Sequence, residues 1–117
     1  MKTFEDLEVY QKALDFTIII FKLTDDKAIN RNIVYQLERA SLSISNNIAE
    51  GFELQSNRQF VKFLYIAKAS CGECRNLLTV THKLEQIETY NDLKTKSLEV
   101  SKQLANFIKY LKNSEIR

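Results

Sequence analysis

The sequence predicts an all-α protein, an antiparallel up-down four-helix bundle that is homo-oligomeric. Pro is absent and the two glycines are Gly51 and Gly72, which leaves few of the turns that join strands in a sheet protein. Four long segments instead place apolar residues three and four positions apart, the spacing of one helix face. Short connections between such helices favour antiparallel neighbours. A chain of 117 residues can bury one core, and we predict one domain, residues 1–117.

The first helix is predicted to begin after Thr3, an N-cap residue with Asp6 three positions later, and to end near Thr24. It carries two apolar stripes, Leu7, Tyr10, Leu14, Ile18 and Phe21 in the first, and Val9, Ala13, Phe16, Ile20 and Leu23 in the second. A bundle helix needs an apolar stripe only about 100° wide. The surplus apolar face therefore predicts self-association. The alternative is a helix that is buried more deeply than usual within a monomer.

The second helix is predicted from about Asn30 to Glu50, and Gly51 is expected to end it in the left-handed conformation. The third helix is predicted to begin after Ser56, whose capping-box partner is Gln59, and to continue to about residue 84. The apolar stripe of the second helix comprises Ile33, Leu37, Ala40, Ile44 and Ile48.

The fourth helix is predicted to begin after Thr89, with Asp92 as its capping-box partner. Its core positions alternate three and four residues apart, as expected of one buried helix face. They are Leu93, Ser97, Val100, Leu104, Phe107 and Leu111.

Charge and hydropathy limit the classes of partner. The net charge of +2 is too small to argue for non-specific attraction to nucleic acid, but residues 55–84 carry five bases against Glu73 alone. The longest apolar run, Phe16 to Phe21, is about a third of the length that a membrane span needs. The first residues show no signal-peptide pattern. We therefore expect a cytoplasmic protein without a membrane partner.

The third helix predicts a basic outer face. Its five basic residues fall within an arc of about 140°, opposite the apolar stripe of the same helix. They are Arg58, Lys62, Lys68, Arg75 and Lys83. Repeated in each copy of an oligomer, this face would make multivalent contacts with the phosphates of RNA or DNA. The alternative is a solvated face, and no aromatic residue is expected between these bases in a position for base stacking.

A set of polar residues interrupts the apolar pattern of helices two and three. The set comprises Arg39, Ser43, Asn47, Glu50, Ser70 and Glu73. We predict a structural role, in which Arg39 pairs with Glu73 or Glu50 while Ser43 and Asn47 bind main-chain groups at the turn between the two helices. A catalytic role for an arginine beside carboxylates is the weaker alternative. Replacing Arg39 with Ala is expected to cost folding or assembly.

Cys71 and Cys74 form a Cys-x-x-Cys pair deep within the third predicted helix. Reactive pairs of this kind usually lie at a helix start, where the helix dipole lowers the thiol pKa. Zinc would need further ligands, and His82 lies about 16 Å beyond Cys71 along a straight helix. We therefore predict buried, reduced thiols, with no metal and no cofactor.

Three motifs resemble those of one family, and together they extend over nearly the whole chain. They are residues 4–13, residues 36–51 with the end Asn47-Ile-Ala-Glu-Gly, and residues 60–67 followed by Ser70 and Glu73. The chain resembles the 23S rRNA intervening-sequence proteins, also labelled ribosomal protein S23. This resemblance implies a ring of copies, best known as a homopentamer, without established enzymatic activity. Some relatives are strongly basic and bind nucleic acid and a reverse transcriptase. In this chain Glu53 and Leu54 stand where the family often has a Gly-Arg pair, which removes one expected base.

Three classes of function follow. The first is a non-enzymatic oligomeric scaffold or adaptor that contacts RNA or DNA through the third helix. The second is a ribonuclease, because Arg75 and His82 resemble the Arg-x(4 to 6)-His element of HEPN ribonucleases. The third is a purely structural assembly whose partner is another protein.

Overall fold

Four α-helices dominate the computed structural model, which describes residues 2–114. They are α1 (Glu8–Leu23), α2 (Arg31–Phe52), α3 (Asn57–Leu84) and α4 (Tyr90–Lys112). A 3₁₀ turn, Phe4–Asp6, precedes α1, and no strand occurs within the described residues. The all-α prediction is confirmed. The predicted domain also includes Met1 and residues 115–117, which lie outside the described residues.

The helices form an antiparallel bundle in which each helix packs on the next and α4 packs on α1. Two hydrogen bonds set the direction of the first pair. The Thr17 hydroxyl donates to the Ser41 carbonyl oxygen (2.9 Å), and the Thr24 hydroxyl donates to the Glu38 carboxylate (2.8 Å). Residue numbers therefore rise along α1 as they fall along α2, as the predicted up-down order requires of this pair.

The bundle core is built from apolar side chains of all four helices. Burial of each such side chain is worth about 1.5–3 kcal/mol. The largest fully buried side chains include Phe16, Leu37, Ile44, Ile48, Phe60, Leu64, Leu78, Leu93 and Leu104. None of the helices within residues 2–114 has the length and apolar content that crossing a bilayer requires.

The first helical segment buries one of its two apolar stripes and leaves the other partly exposed. The stripe from Val9 to Ile20 lies in the core, whereas Ile18 and Phe21 of the other stripe are 48% and 37% exposed. Part of the surplus apolar face predicted for this helix is therefore exposed to solvent in the single chain.

The start of α1 differs from the prediction. Asp6 accepts hydrogen bonds from the backbone N–H groups of Lys2 (2.9 Å) and Thr3 (3.1 Å). Thr3, however, is the N-cap of the 3₁₀ turn and not of α1. Leu7 is extended, so α1 begins only at Glu8. The hydrogen bonds from Thr3 and Lys2 lower the pKa of the Asp6 carboxyl group, because they stabilise its charged form.

The other two predicted N-caps differ from each other. Ser56 accepts a hydrogen bond from the Gln59 backbone N–H (3.2 Å), which confirms it as the N-cap of α3. Thr89 occupies the N-cap position of α4, but its side chain makes no capping hydrogen bond. Its predicted partner Asp92 instead pairs with Lys96 at 3.7 Å.

Gly51 does not end α2 in the left-handed conformation, since the helix continues to Phe52 and neither glycine has a positive φ. Its role is steric. A Cβ atom at position 51 would lie 2.7 Å from Phe60 Cδ1 and 2.8 Å from Phe63 Cβ. Glycine is therefore needed here because α3 approaches the end of α2 too closely for any side chain.

Candidate nucleic-acid interface

The basic residues predicted on α3 do not all have the same environment. Four of them are exposed to solvent: Arg58, Lys62, Lys68 and Lys83. Arg75 is half-buried, and its Nη1 donates to the hydroxyls of Ser97 (3.0 Å) and Ser101 (2.8 Å) on α4. Arg75 therefore joins α3 to α4, and it differs from the other four in having part of its hydrogen-bonding capacity already used.

Helix α4 adds four exposed lysines that were not predicted from the sequence. The Arg75 contacts identify the side of α4 that faces α3, and at 100° per residue all four lysines lie within about 100° of Ser101. They are Lys94, Lys102, Lys109 and Lys112. We call these four, together with the four exposed bases of α3, the basic face.

Acidic residues are scarce on the two helices that form the basic face. Together α3 and α4 contain ten Lys and Arg against three acidic residues, Glu73, Asp92 and Glu99. Each of the three pairs with a base outside the basic face, namely Arg39, Lys96 and Lys12. Within residues 2–114, none of the eight basic-face residues forms a salt bridge. Their charges are therefore available to an anionic partner.

An aromatic side chain lies among these bases, so the expectation that none is interleaved is wrong. Tyr65 is 48% exposed and lies three residues from both Lys62 and Lys68, which places all three on one side of α3. Its hydroxyl accepts a hydrogen bond from Lys112 Nζ (3.1 Å), which lies 5.4 Å from the ring centroid. The spacing of Tyr65 from Lys62 and Lys68 could have identified it, whereas the contact with Lys112 could not be predicted because that lysine comes from another helix.

The predicted ion pair between helices two and three is present. Arg39 donates to Glu73, whereas Glu50 is exposed and forms no salt bridge with a described residue. The side chains of Arg39 and Glu73 remain 52% and 38% exposed. This pair therefore joins α2 to α3 at the surface and not within a buried interface of the monomer.

The serines and the asparagine of the polar set form a network beside that pair. The Ser70 hydroxyl donates to the Ser43 hydroxyl (2.9 Å), and Asn47 Nδ2 donates to the Ser43 carbonyl oxygen (2.7 Å). The expectation that Ser43 and Asn47 bind main-chain groups at the α2–α3 turn is wrong, because both lie within α2, at least one helical turn before its end. The network aligns the middle of α2 with the middle of α3.

Replacing Arg39 with Ala is expected to lower the free energy of unfolding by less than about 1 kcal/mol, because an ion pair exposed to this extent contributes little. This corrects the expected loss of folding, since Glu73 retains access to water. Urea denaturation followed by circular dichroism measures the change, with Glu73→Gln as the matched variant. A loss above about 3 kcal/mol would be typical of a buried ion pair and would contradict this prediction.

His82 and Arg75 of α3 both contact residues that follow α3 in the chain. His82 Nδ1 accepts a hydrogen bond from the Ile87 backbone N–H (3.0 Å), and its ring stacks on Tyr90 with centroids 4.2 Å apart. Arg75 is directed at the serines of α4. The contacts of these two residues therefore give them structural roles, and none of the contacts favours a ribonuclease.

The two cysteines are buried in α3, as predicted, and they form no disulfide. Burial raises the pKa of the Cys71 thiol to about 11 and that of Cys74 to about 12. Both thiols are therefore protonated at neutral pH, the form that neither attacks nor binds metal. No cluster of three or more His, Cys, Asp or Glu side chains suited to a metal occurs within residues 2–114.

Comparisons with known proteins agree with this architecture. The family model of the 23S rRNA-intervening sequence protein matches residues 5–106. A crystal structure of a protein with unknown function from the S23 ribosomal protein family of Bacteroides thetaiotaomicron superimposes with a TM-score of 0.80 and 29% sequence identity. The match covers 86% of this chain and 98% of that one. No curated protein matches the chain.

Proposed function

Because this chain belongs to the 23S rRNA-intervening sequence protein family, we propose that it is a non-enzymatic, self-associating scaffold that binds RNA or DNA through the basic face. The charge distribution of α3 and α4 carries this proposal. The two helices carry ten bases and three acids, and each acid is paired with a base that is not a member of the basic face. A polyanion can therefore approach this side of the bundle without meeting an unpaired carboxylate of either helix.

The proposed contacts are with phosphates and do not depend on base sequence. Lysine and arginine bind a nucleic-acid backbone by releasing its condensed counterions, which makes affinity fall steeply as salt rises. If half of the eight basic-face residues each neutralise one phosphate, a plot of the logarithm of the binding constant against the logarithm of the salt concentration has a slope of about −4. The described molecule is about 48 Å long, so these contacts would be spread along an extended segment of nucleic acid.

Self-association is proposed through the opposite side of the bundle. Ile18 and Phe21 on α1, and Leu42 on α2, are between a third and a half exposed. The hydrogen bond between Thr17 and Ser41 places Ile18 and Leu42 at the same level of adjacent helices. A partner copy that covered this apolar patch would leave the basic face outward in every subunit. Several copies, five in the form implied by the family, would then bind one nucleic acid with multivalent affinity.

Replacing Ile18 and Phe21 with Asp is expected to reduce the sedimenting mass to the 13.7 kDa of one chain, because charges on the patch prevent its burial. Affinity for an RNA or DNA oligonucleotide should fall with the mass, since each chain then binds alone. Analytical ultracentrifugation and fluorescence anisotropy measure the two effects.

The control is Tyr110→Asp, which places a charge at an exposed aromatic residue outside the patch. A wild-type mass of 13.7 kDa at micromolar concentration would contradict the self-association. A wild-type assembly that bound neither RNA nor DNA would instead favour a structural assembly with another protein.

A further inference from the structure

Tyr65 lies at the centre of the α3 part of the basic face. Arg58 is seven residues before it, and Lys62 and Lys68 are three residues before and after it. These separations place all four side chains on one side of a helix, with bases on both flanks of the ring. The ring is 48% exposed, so about half of its surface is available to a ligand.

The position of the ring is fixed from the neighbouring helix. Lys112 of α4 donates a hydrogen bond from Nζ to the Tyr65 hydroxyl at 3.1 Å. The ring therefore has an anchor at its polar end, and binding a flat ligand would cost less side-chain entropy than it would for a freely rotating ring. The same lysine is a member of the basic face, which places a cation at the edge of the ring.

The surface that continues from Tyr65 along α3 is open. The next two residues on this side, at four and seven positions, are Ala69 and Gly72. A Cβ atom added to Gly72 would meet no neighbour other than Arg75 Nη2, at 3.7 Å. A planar group lying against Tyr65 would thus meet no bulky side chain from these two positions.

We propose that Tyr65 stacks on an unpaired base, so that the basic face prefers single-stranded nucleic acid to duplex. This inference rests on the proposed phosphate binding, because the lysines around the ring would hold the backbone. Lysines alone do not discriminate strongly between the two forms, whereas an aromatic ring can stack only on a base that is exposed. In a duplex the bases already stack on one another, and the ring would gain no partner.

Replacing Tyr65 with Ala is expected to lower affinity for a single strand of about 16 nucleotides by about tenfold, the effect of losing one base–aromatic stack. Affinity for the duplex of the same strand should change by less than about twofold, because phosphate contacts are retained. Tyr65→Phe keeps the ring but loses the Lys112 anchor, so it should bind more weakly than wild type and clearly better than Tyr65→Ala. Tyr110→Ala removes an exposed tyrosine that is not a member of the basic face. Fluorescence anisotropy measures all four proteins, after circular dichroism has shown that each is folded.

A strand built with abasic nucleotides provides a test on the wild-type protein itself. It retains the phosphates and lacks the bases, so wild type and Tyr65→Ala should bind it equally. The chain contains five Tyr and no Trp, so quenching of tyrosine emission by the normal strand but not by the abasic strand would report the stack if the quenching were absent in Tyr65→Phe. Equal losses for single strand and duplex in Tyr65→Ala would overturn the stacking inference and leave the proposed function intact. Absence of wild-type binding to either form would overturn both.

Discussion

Reversing the charge of four lysines of the basic face is expected to abolish nucleic-acid binding while the four helices remain folded. The variant replaces Lys62, Lys68, Lys102 and Lys109 with Glu, and it lowers the net charge from +2 to −6. All four side chains are exposed and none forms a salt bridge with a described residue, so folding should be preserved. Each reversal replaces a phosphate contact with a repulsion, and we expect a loss of at least about a hundredfold near 0.1 M salt. Fluorescence anisotropy over a range of salt concentrations measures it.

The control changes the total charge by the same amount on other parts of the chain. It replaces Lys2, Lys22, Lys27 and Arg31 with Glu, four exposed bases that lie outside α3 and α4. Binding should weaken only modestly, because screening limits the reach of charge to about 10 Å at 0.1 M salt. Equal losses in the two variants would mean that binding follows net charge and not the basic face.

Replacing Gly51 with Ala is expected to destabilise the bundle by about 2 kcal/mol, through overpacking between α2 and α3. The added Cβ would lie 2.7 Å from Phe60 Cδ1, and the Phe60 ring is buried and packs edge-on against Phe52 and Phe107. It would also lie 2.8 Å from Phe63 Cβ, which moves only if α3 itself moves. The helical propensity of Ala would return at most about 1 kcal/mol, so the steric cost decides the sign. Thermal and urea denaturation measure the change.

Gly72→Ala is the matched control, because it makes the same exchange within a helix but in open space. The new Cβ would meet Arg75 Nη2 at 3.7 Å, an ordinary contact with the end of a flexible side chain. This variant should be more stable than wild type by about 0.4–1 kcal/mol. If both variants were stabilised, the close approach at Gly51 would not exist in the protein.

The fold was predictable because each helix repeats its apolar spacing over several turns. The stripe of α2 from Leu37 to Ile48 is fully buried, as its spacing predicted. Spacing could not decide which stripe of α1 is covered, because the two are equally apolar and the answer depends on where α2 and α4 pack. The role of Gly51 was also hidden, since a steric requirement depends on the distance to Phe60 and not on local sequence.

The candidate site was predictable only in part. The bases of α3 were found because Glu73 is the single acid between residues 55 and 84. The lysines of α4 were missed because Glu85 and Glu88 precede the helix and offset its charge when the whole segment is counted. Three of them could have been identified by their spacing, which is eight residues from Lys94 to Lys102 and seven from Lys102 to Lys109.

The buried thiols of Cys71 and Cys74 also allow the opening of the bundle to be measured. Neither thiol has any surface accessible to solvent, so an alkylating reagent can reach it only when α3 separates from its neighbours. When reagent is abundant, the labelling rate equals the rate of that separation, and when reagent is scarce it reflects the equilibrium population of the open form. Mass spectrometry of the labelled chain would thus measure the transient opening of the bundle without any mutation.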